Sequence, residues 1–363
     1  MSEIRLVDLR KEFKGTVAVE GVTLTFGSSA VTCLLGPSGC GKTTLMRMIA
    51  GLERPTRGDV FFDDERVTDL PTRKRKIGMV FQYPVVYPGI SVRRNIELPL
   101  LHEKHAGTER RKRIDEVVEI LRLQDSIDVN VSRLDMATRQ KVAVAREIAR
   151  QPRFILLDEP ITNVDVETKV QIRRALKVLT KQRKQTVIYV THDQTDAMTL
   201  ADQIVLMNEG RIVQCDEPRT LYDRPADVFG GWFLGNPGMN YFEQEVVEVD
   251  GAPSIASPLF PRPIRVIGKD LERRVVVGIR PEHIEIRGAP SPGAVRARIL
   301  RKTIGVGGRY LLVAQVDGQV VKVKVAPDVG VGVEGQVWLE CPLSWVRVFG
   351  RDGGRRDVQL VDA

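Results

Sequence analysis

The chain has 363 residues, a net charge of +8 at pH 7, 42% hydrophobic residues and 28% charged residues. This length is sufficient for two domains with separate cores. No apolar run approaches the roughly 20 residues that span a bilayer, and the N-terminus has no signal-peptide pattern, so we expect an intracellular protein that reaches membranes through a partner. The four cysteines are scattered without metal-ligand spacing, which favours a reducing compartment.

The positive charge does not indicate a nucleic-acid partner. The basic runs at 73–76 and 110–113 are short, and neither has aromatic residues between its cations for base stacking. Solvated surface is therefore the preferred interpretation of both runs. The first run could also face acidic lipid if the protein lies under a membrane.

The first part of the chain alternates short apolar runs with helical patterns, which predicts parallel β-α units. Buried strands are predicted at Val31–Leu35, 154–157 and Thr186–Thr191. A helix is predicted at Lys42–Ala50, directly after a glycine-rich loop. Residues 109–123 carry apolar side chains on one helical face. We expect the region of about 83–150 to form a helical subdomain inserted between the strands.

Beyond residue 235 the helical pattern disappears. Short valine-rich runs separated by Gly and Pro follow at 275–279, Tyr310–Val316, 320–325 and 337–339. They predict a small all-β barrel or sandwich. We place the domain boundary near 236, which gives domains at 1–235 and 236–363.

The loop after the first buried strand fits the phosphate-binding pattern G-x-x-x-x-G-K-[ST] and lies between a strand and a helix, as that pattern requires. Its glycines let successive backbone N–H groups surround a phosphate, and the helix N-terminus adds partial positive charge. Lys42 is expected to reach the β- and γ-phosphates, and the Thr43 hydroxyl to ligate Mg²⁺. The candidate residues for binding ATP or GTP are Gly36, Pro37, Ser38, Gly39, Cys40, Gly41, Lys42, Thr43 and Thr44.

A second apolar strand ends in two acids, Asp158 and Glu159. A carboxylate at a strand end opposite a phosphate loop holds Mg²⁺, so Asp158 is the candidate metal ligand. Glu159 can polarise the attacking water as a general base. The alternative, that two acids merely begin a turn, is disfavoured because a long helical insertion separates them from Lys42.

Three further segments carry motifs. They are GMVFQ at 78–82, PITNVD at 160–165 and YVTHDQ at 189–194. These segments resemble the glutamine loop, the D-loop and the histidine switch of the ATPase subunits of ATP-binding cassette (ABC) importers. The resemblance makes ATP hydrolysis the expected activity.

The same resemblance implies roles for three side chains. Gln82 would help to bind Mg²⁺ and ATP, sense the attacking water and link the site to the membrane subunit. His192 would contact the γ-phosphate and act with Glu159 in catalysis. Phe13 is the candidate aromatic that stacks on adenine, and the alternative for it is a position in the core.

The C-terminal part also resembles this family. GNPGMN at 235–240 and GIRPEH at 278–283 are similar to marks of the regulatory domain, of oligonucleotide/oligosaccharide-binding (OB) type, in carbohydrate-importer ATPases. The implied fold is an α/β P-loop domain with a helical insertion, followed by a small all-β OB-type domain. ATP and Mg²⁺ are the implied cofactors. The implied partners are transmembrane permease subunits and, indirectly, a solute-binding protein, at the cytoplasmic face of the inner (plasma) membrane.

One segment departs from the family pattern. Where the family reads Leu-Ser-Gly-Gly-Gln, this chain has Leu134, Asp135, Met136, Ala137 and Thr138. In the family's head-to-tail dimers this signature segment covers the γ-phosphate held by the partner's phosphate loop. An ionised Asp135 cannot donate a hydrogen bond, and about 4 Å from a phosphate charge it would repel it by about 1–4 kcal/mol. Aspartate is nevertheless a good N-cap, so the helix from Met136 should form.

We therefore expect this subunit to pair with a second, non-identical ATPase whose signature segment is intact. The alternative is that Arg133 or Arg139 neutralises Asp135 and that a symmetric dimer works. Glycerol, another polyol or a sugar phosphate is the preferred solute. Two other functions stay open, a soluble ABC ATPase acting on nucleic acid or ribosomes and a non-hydrolysing nucleotide-binding scaffold, although intact Glu159 and His192 argue against the scaffold.

Overall fold

The structure of the protein is a computed structural model that describes residues 3–102, 106–161, 164–268 and 271–362. The chain divides into two compact units, Met1–Pro218 and Arg219–Ala363. No helix within the described ranges is both long and apolar enough to cross a bilayer.

The first unit contains two sheets over its described residues. Their strands are β1 (Ile4–Phe13), β2 (Thr16–Phe26), β3 (Val31–Leu35), β4 (Arg57–Phe62), β5 (Glu65–Arg66), β6 (Gly78–Val80), β7 (Phe154–Asp158), β8 (Thr186–Thr191), β9 (Gln203–Asn208) and β10 (Arg211–Asp216). An antiparallel sheet has the order β2-β1-β4-β5, and the larger sheet has the order β10-β9-β3-β8-β7-β6. In the larger sheet β10 is antiparallel to β9, and the other neighbours are parallel.

Every residue of β3, β7 and β8 is buried. Parallel strands covered on both faces need continuous apolar runs, which is why the sequence pattern located these three. The core between the two sheets includes Leu34, Leu156 and Ile188 from the larger sheet and Leu6 from the smaller one. The strand ends that carry the site therefore extend from a packed core.

Some helices of the first unit contact strands of the larger sheet, and others form an insertion. They are α1 (Lys42–Ala50), α2 (Val92–His102), α3 (Gly107–Ile120), α4 (Met136–Ala149), α5 (Val166–Arg183) and α6 (Gln194–Leu200). Helices α2, α3 and α4 lie in the chain between β6 and β7, and they contact one another. The predicted α/β P-loop fold with a helical insertion is confirmed.

The second unit is rich in strands. These are β11 (Asn240–Val249), β12 (Ala252–Ala256), β13 (Ile264–Gly268), β14 (Arg274–Ile279), β15 (Glu285–Arg287), β16 (Ala294–Ile304), β17 (Tyr310–Val316), β18 (Gln319–Val325), β19 (Gln336–Glu340), β20 (Arg347–Phe349), β21 (Arg355–Arg356) and β22 (Val358–Asp362). Two sheets have the orders β21-β20-β14-β11-β12-β13-β22 and β15-β19-β16-β17-β18. They share one core of buried valine, leucine, isoleucine and phenylalanine. The predicted small β domain is confirmed, and its OB type stays a prediction.

Short helices begin this second part, namely α7 (Pro218–Asp223) and α8 (Val228–Phe233), and α9 (Pro327–Val331) lies later. The structural division at 218/219 precedes the boundary near 236 that the sequence predicts. Arg280 explains why residues 219–235 group with the second unit. Its side chain is 1% exposed and donates hydrogen bonds to the backbone oxygens of Tyr222 (2.9 Å) and Leu234 (2.5 Å), so the segment before 236 is held by the β unit.

Candidate functional site

The phosphate-binding loop connects β3 to α1. Gly41 is the N-cap of α1, with φ 101°, and no side chain caps this helix end. The N–H groups of the first helical turn therefore remain directed at the loop, where an anion would meet them together with the positive end of the helix dipole.

Two positions of this loop, Gly36 and Gly41, require glycine because another backbone segment lies too close for a side chain. A Cβ at Gly36 would overlap the carbonyl oxygen of Met207, and a Cβ at Gly41 would overlap that of Ala18. Gly41 also has a positive φ, which disfavours any side chain. Pro37, Ser38 and Gly39 form the accessible outer part of the loop, with Ser38 and Gly39 exposed.

Lys42 is buried, with 5% of its surface exposed. Its ammonium donates to the backbone oxygens of Gly36 and Pro37, both at 2.8 Å, and lies 3.7 Å from Cys40 Sγ. The backbone carbonyls of the loop thus hold the Lys42 ammonium within the loop. Burial raises the pKa of the Cys40 thiol, so that side chain is neutral at pH 7.

Two of the predicted metal ligands, Thr43 and Asp158, contact each other. Thr43 Oγ1 donates to Asp158 Oδ1 at 3.2 Å, which joins the start of α1 to the end of β7. Asp158 is 6% exposed, and its burial raises the pKa of its carboxyl. Thr44 follows on α1 and is partly buried.

The side chains of Gln82 and His192 both contact one carboxylate oxygen of Glu159. Gln82 Nε2 donates to Glu159 Oε2 at 3.4 Å, and His192 Nδ1 lies 3.1 Å from the same oxygen. The three residues follow the ends of adjacent parallel strands, β6, β7 and β8. Because the carboxyl ends of parallel strands meet at one edge, the topology brings these side chains together.

Glu159 has an unusual backbone conformation for a residue with a side chain. Its φ is 46°, in the left-handed region, and its N–H donates to the oxygen of Val190 at 3.1 Å. Such a conformation costs about 1–3 kcal/mol and clusters at functional sites. The strained turn aims the Glu159 carboxylate toward His192 and Gln82.

Phe13 ends β1, and its side chain is accessible. The residue is 42% exposed, and Lys11 Nζ lies 4.6 Å from its ring centroid. The alternative of a core position for Phe13 is therefore wrong. An exposed ring beside a cation is suited to stacking on a base.

The signature segment begins a regular helix. Asp135 is the N-cap of α4, and its Oδ1 accepts a hydrogen bond from the Thr138 N–H at 2.6 Å. The predicted capping role is confirmed. Leu134 precedes this cap in an extended conformation, Met136 is 47% exposed, and Ala137 follows in the first turn.

The alternative that Arg133 or Arg139 neutralises Asp135 finds no support in the described residues, although the positive charge of Lys141 does help to lower the pKa of Asp135. Arg139 donates instead to the backbone oxygens of Val131 (3.1 Å) and Ser132 (2.9 Å). Within the described ranges neither Arg133 nor Arg139 forms an ion pair with Asp135. The hydrogen bonds from Thr138 are the main reason that the pKa of Asp135 is lowered, so its charge persists at neutral pH.

Two buried polar residues near the site were not found from the sequence. Gln140 is 2% exposed and donates to the oxygen of Phe81 at 3.1 Å, which links α4 to the residue before Gln82. Asn95 is fully buried, accepts from Tyr87 N–H at 2.8 Å and donates to Tyr87 O at 3.1 Å. The sequence signal that could have revealed them is a polar residue at a position of α4 or α2 where the helical pattern places the core.

In the D-loop, Thr162 and Asn163 lie outside the described residues. Asp165, which follows them, is the N-cap of α5 and accepts from the Thr168 N–H at 2.9 Å.

The residues present fit both predicted cofactors. Thr43 and Asp158 supply a hydroxyl and a carboxylate oxygen, and hard oxygen donors of this kind suit Mg²⁺ with phosphate as a further ligand. The uncapped helix end, the glycine-rich loop and the Lys42 ammonium together form a cradle suited to a phosphate.

Comparison with known proteins agrees with this arrangement. The family described as ABC transporter matches residues 19–162. The trehalose/maltose import ATP-binding protein MalK of Thermococcus litoralis is 41% identical over 78% of this chain and 79% of its own length. The sn-glycerol-3-phosphate import ATP-binding protein UgpC 2 of Agrobacterium fabrum is 36% identical over 98% of this chain and 95% of its own length. A dimeric structure of the ATP-binding cassette MJ0796 in a post-hydrolysis state, bound to ADP and Pi, has a TM-score of 0.55 and 30% identity, and covers 60% of this chain and 99% of its own.

Proposed function

The chain belongs to the ATP-binding proteins of the ABC transporter family, and from this premise we propose that it hydrolyses ATP, with Glu159 as general base, to energise import of a carbohydrate-type solute. The observation that carries the proposal is the meeting of Gln82, Glu159 and His192 beside the Thr43–Asp158 contact.

In this proposal the phosphate loop binds and orients the nucleotide. Backbone N–H groups of residues 38–44 surround the phosphates, and Lys42 exchanges its two carbonyl acceptors for phosphate oxygens. Phe13 stacks on the adenine. Thr43, Asp158 and Gln82 would hold Mg²⁺, which when bound would neutralise charge on the phosphate oxygens.

Glu159 accepts a proton from the attacking water, and its two neighbours position it. His192 and Gln82 both contact Oε2, which fixes the rotation of the carboxylate. His192 also contacts the γ-phosphate in this proposal. General-base assistance of this kind contributes about 10²–10⁴-fold to a rate.

We test hydrolysis by replacing Glu159 with Gln, a change that keeps shape and removes the base. Steady-state phosphate release should fall by at least about 100-fold. Glu119→Gln, at an exposed position on α3, is the matched control and should retain activity. Equal rates in the two variants would mean that the chemistry lies elsewhere.

The import role is supported by the relatives' names and rests on no contact in this chain with a solute. One relative is named for trehalose/maltose import and another for sn-glycerol-3-phosphate import. Their identities of 41% and 36% do not choose one solute, so we propose the carbohydrate and polyol class, including sugar and glycerol phosphates.

In this role the chain lies at the cytoplasmic face of the inner membrane, bound to permease subunits, with a solute-binding protein acting indirectly. Purification of the tagged chain from its native membrane should recover permease subunits. The recovered complex should release phosphate faster when the solute-loaded binding protein is added. Recovery with ribosomes or nucleic acid instead would favour the soluble ATPase alternative.

Pairing with a second, non-identical ATPase stays a prediction. Its support is Asp135, an ionised N-cap without a neutralising arginine at a segment that in this family acts on the partner's nucleotide. The same purification tests it. An intact signature segment on a second ATPase would support the pairing, and a complex with two copies of this chain would overturn it.

A further inference from the structure

The second unit contains a small cavity with a wall rich in guanidinium groups. Its volume is about 200 Å³. The charged and polar side chains on its wall are those of Arg224, Arg347, Arg355, Arg356, Ser344 and Asp357. This cavity shares no residue with the nucleotide site.

Arg347 is half-buried and is held entirely by backbone oxygens. Its Nε donates to Asp223 O at 3.0 Å, and its Nη1 donates to Ser344 O at 2.8 Å. Burial lowers the pKa of Arg347, and the positive charges of Arg224 and Arg355 lower it further. The fold therefore holds a partly desolvated cation close to two others.

Arg355 is exposed and has a similar attachment. Its Nη1 donates to Arg224 O at 2.7 Å. Across the described part of the chain, neither Arg347 nor Arg355 forms an ion pair with a carboxylate. Both guanidinium groups are thus oriented by backbone carbonyls, which fix their positions without neutralising their charge.

The other charged residues on the wall are Arg356 and Asp357. Arg356 Nη2 is already bonded to Glu272 Oε1 at 2.5 Å and to Asp352 Oδ1 at 2.9 Å. Asp357 contributes one carboxylate to the wall. The charged residues on the wall are therefore four arginines and one aspartate, while Asp223 acts on Arg347, and Glu272 and Asp352 on Arg356, from outside the wall.

The size of the cavity restricts the anion that it can accept. Sites for drug-sized ligands usually have about 300–1,000 Å³, and this cavity is smaller. Guanidinium groups present parallel N–H donors that match phosphate oxygens, and a dianion offsets two cations at once. We propose that this arginine cavity binds a phosphate group, either as inorganic phosphate or as the phosphate of a small ester.

The test is a calorimetric titration of the full-length chain with inorganic phosphate. The protein is first saturated with a non-hydrolysable ATP analogue, whose own γ-phosphate fills the position at the phosphate loop that inorganic phosphate would otherwise occupy. The wild-type chain should bind one phosphate per chain. Arg355→Gln should weaken that binding about 10- to 100-fold, the usual effect of losing a charged hydrogen bond.

Two further variants separate a binding site from a purely structural cluster. Ser344→Asp places a carboxylate in the cavity without removing an arginine or the Ser344 backbone oxygen, so it should abolish phosphate binding while the chain stays folded. Arg298→Gln removes the same charge from an exposed position on β16 and should bind like the wild type. Equal phosphate affinity in Arg355→Gln, Ser344→Asp and Arg298→Gln would overturn the proposal.

A second titration with glycerol 3-phosphate distinguishes the two sources of phosphate. Tighter binding of the ester, lost in Ser344→Asp, would identify an ester as the ligand. Equal or weaker binding of the ester would identify inorganic phosphate. Absence of binding for both would overturn the proposal, and it would leave the ATPase proposal intact because binding of the ATP analogue is measured separately in the same sample.

Discussion

Replacing Asp135 with Asn removes the charge of the signature segment and keeps its shape. Asp135 Oδ1 caps α4 by accepting from the Thr138 N–H at 2.6 Å. An asparagine oxygen caps a helix about as well as an aspartate oxygen, so the free energy of unfolding should change by less than about 0.5 kcal/mol. The variant therefore isolates the electrostatic effect.

The expected magnitude follows from the exposure of Asp135. Two unit charges about 4 Å apart interact by about 1 kcal/mol in water and about 4 kcal/mol at a typical protein surface. Asp135 is exposed and has no arginine partner among the described residues, so solvent and salt screen its charge and the lower value applies. Removing the charge should strengthen ATP binding at the site that it faces by about 5- to 10-fold.

The assay is ATP-dependent self-association, measured by analytical ultracentrifugation in a Glu159→Gln background that preserves bound ATP. Asp135→Asn should lower the ATP concentration needed for dimers by about 5- to 10-fold at low salt, and by less at high salt. Asp125→Asn, at an exposed position away from the signature segment, is the charge-matched control. Identical behaviour of the two variants would refute the electrostatic reasoning.

Three further changes test the site from different directions. Burial raises the pKa of Asp158 in the folded protein, so ionisation of Asp158 opposes folding above its unfolded pKa. Asp158→Asn should therefore raise Tm of the nucleotide-free protein at pH 7, with a gain that shrinks at acidic pH, and should abolish Mg²⁺-dependent hydrolysis. Gly41→Ala should lose ATP binding in equilibrium dialysis and unfold more easily by more than about 1 kcal/mol, whereas Gly39→Ala, where φ is also positive but a Cβ meets nothing, should be milder. Gln140→Leu breaks the bond to Phe81 O and should lower solute-stimulated phosphate release more than basal release; equal losses would refute a linking role for Gln140.

The local parts of the site could be predicted from the sequence. The strand Val31–Leu35 and the helix Lys42–Ala50 have the predicted bounds, because an apolar run, a glycine loop and a helical period are all encoded within a short segment. The cap at Asp135 was predictable for the same reason.

Contacts between distant segments could not be predicted in the same way. Glu159 was predicted from its position at a strand end, and Gln82 and His192 were named by resemblance. The contact of Gln82 and His192 with one Glu159 oxygen depends on the strand order β8-β7-β6, which no local pattern states. Gln140 was missed because its partner Phe81 belongs to another segment. The division at 218/219 depends likewise on Arg280, whose bonds to Tyr222 and Leu234 appear only in the folded unit.

The central claim is that Glu159 performs the chemistry and does not bind the nucleotide. The direct measurement compares the ATP dissociation constant with the single-turnover rate of bound ATP in the same preparation of Glu159→Gln complex. We predict an unchanged dissociation constant and a single-turnover rate at least about 100-fold below that of the wild type. A wild-type turnover rate, or a loss confined to ATP affinity, would contradict the claim.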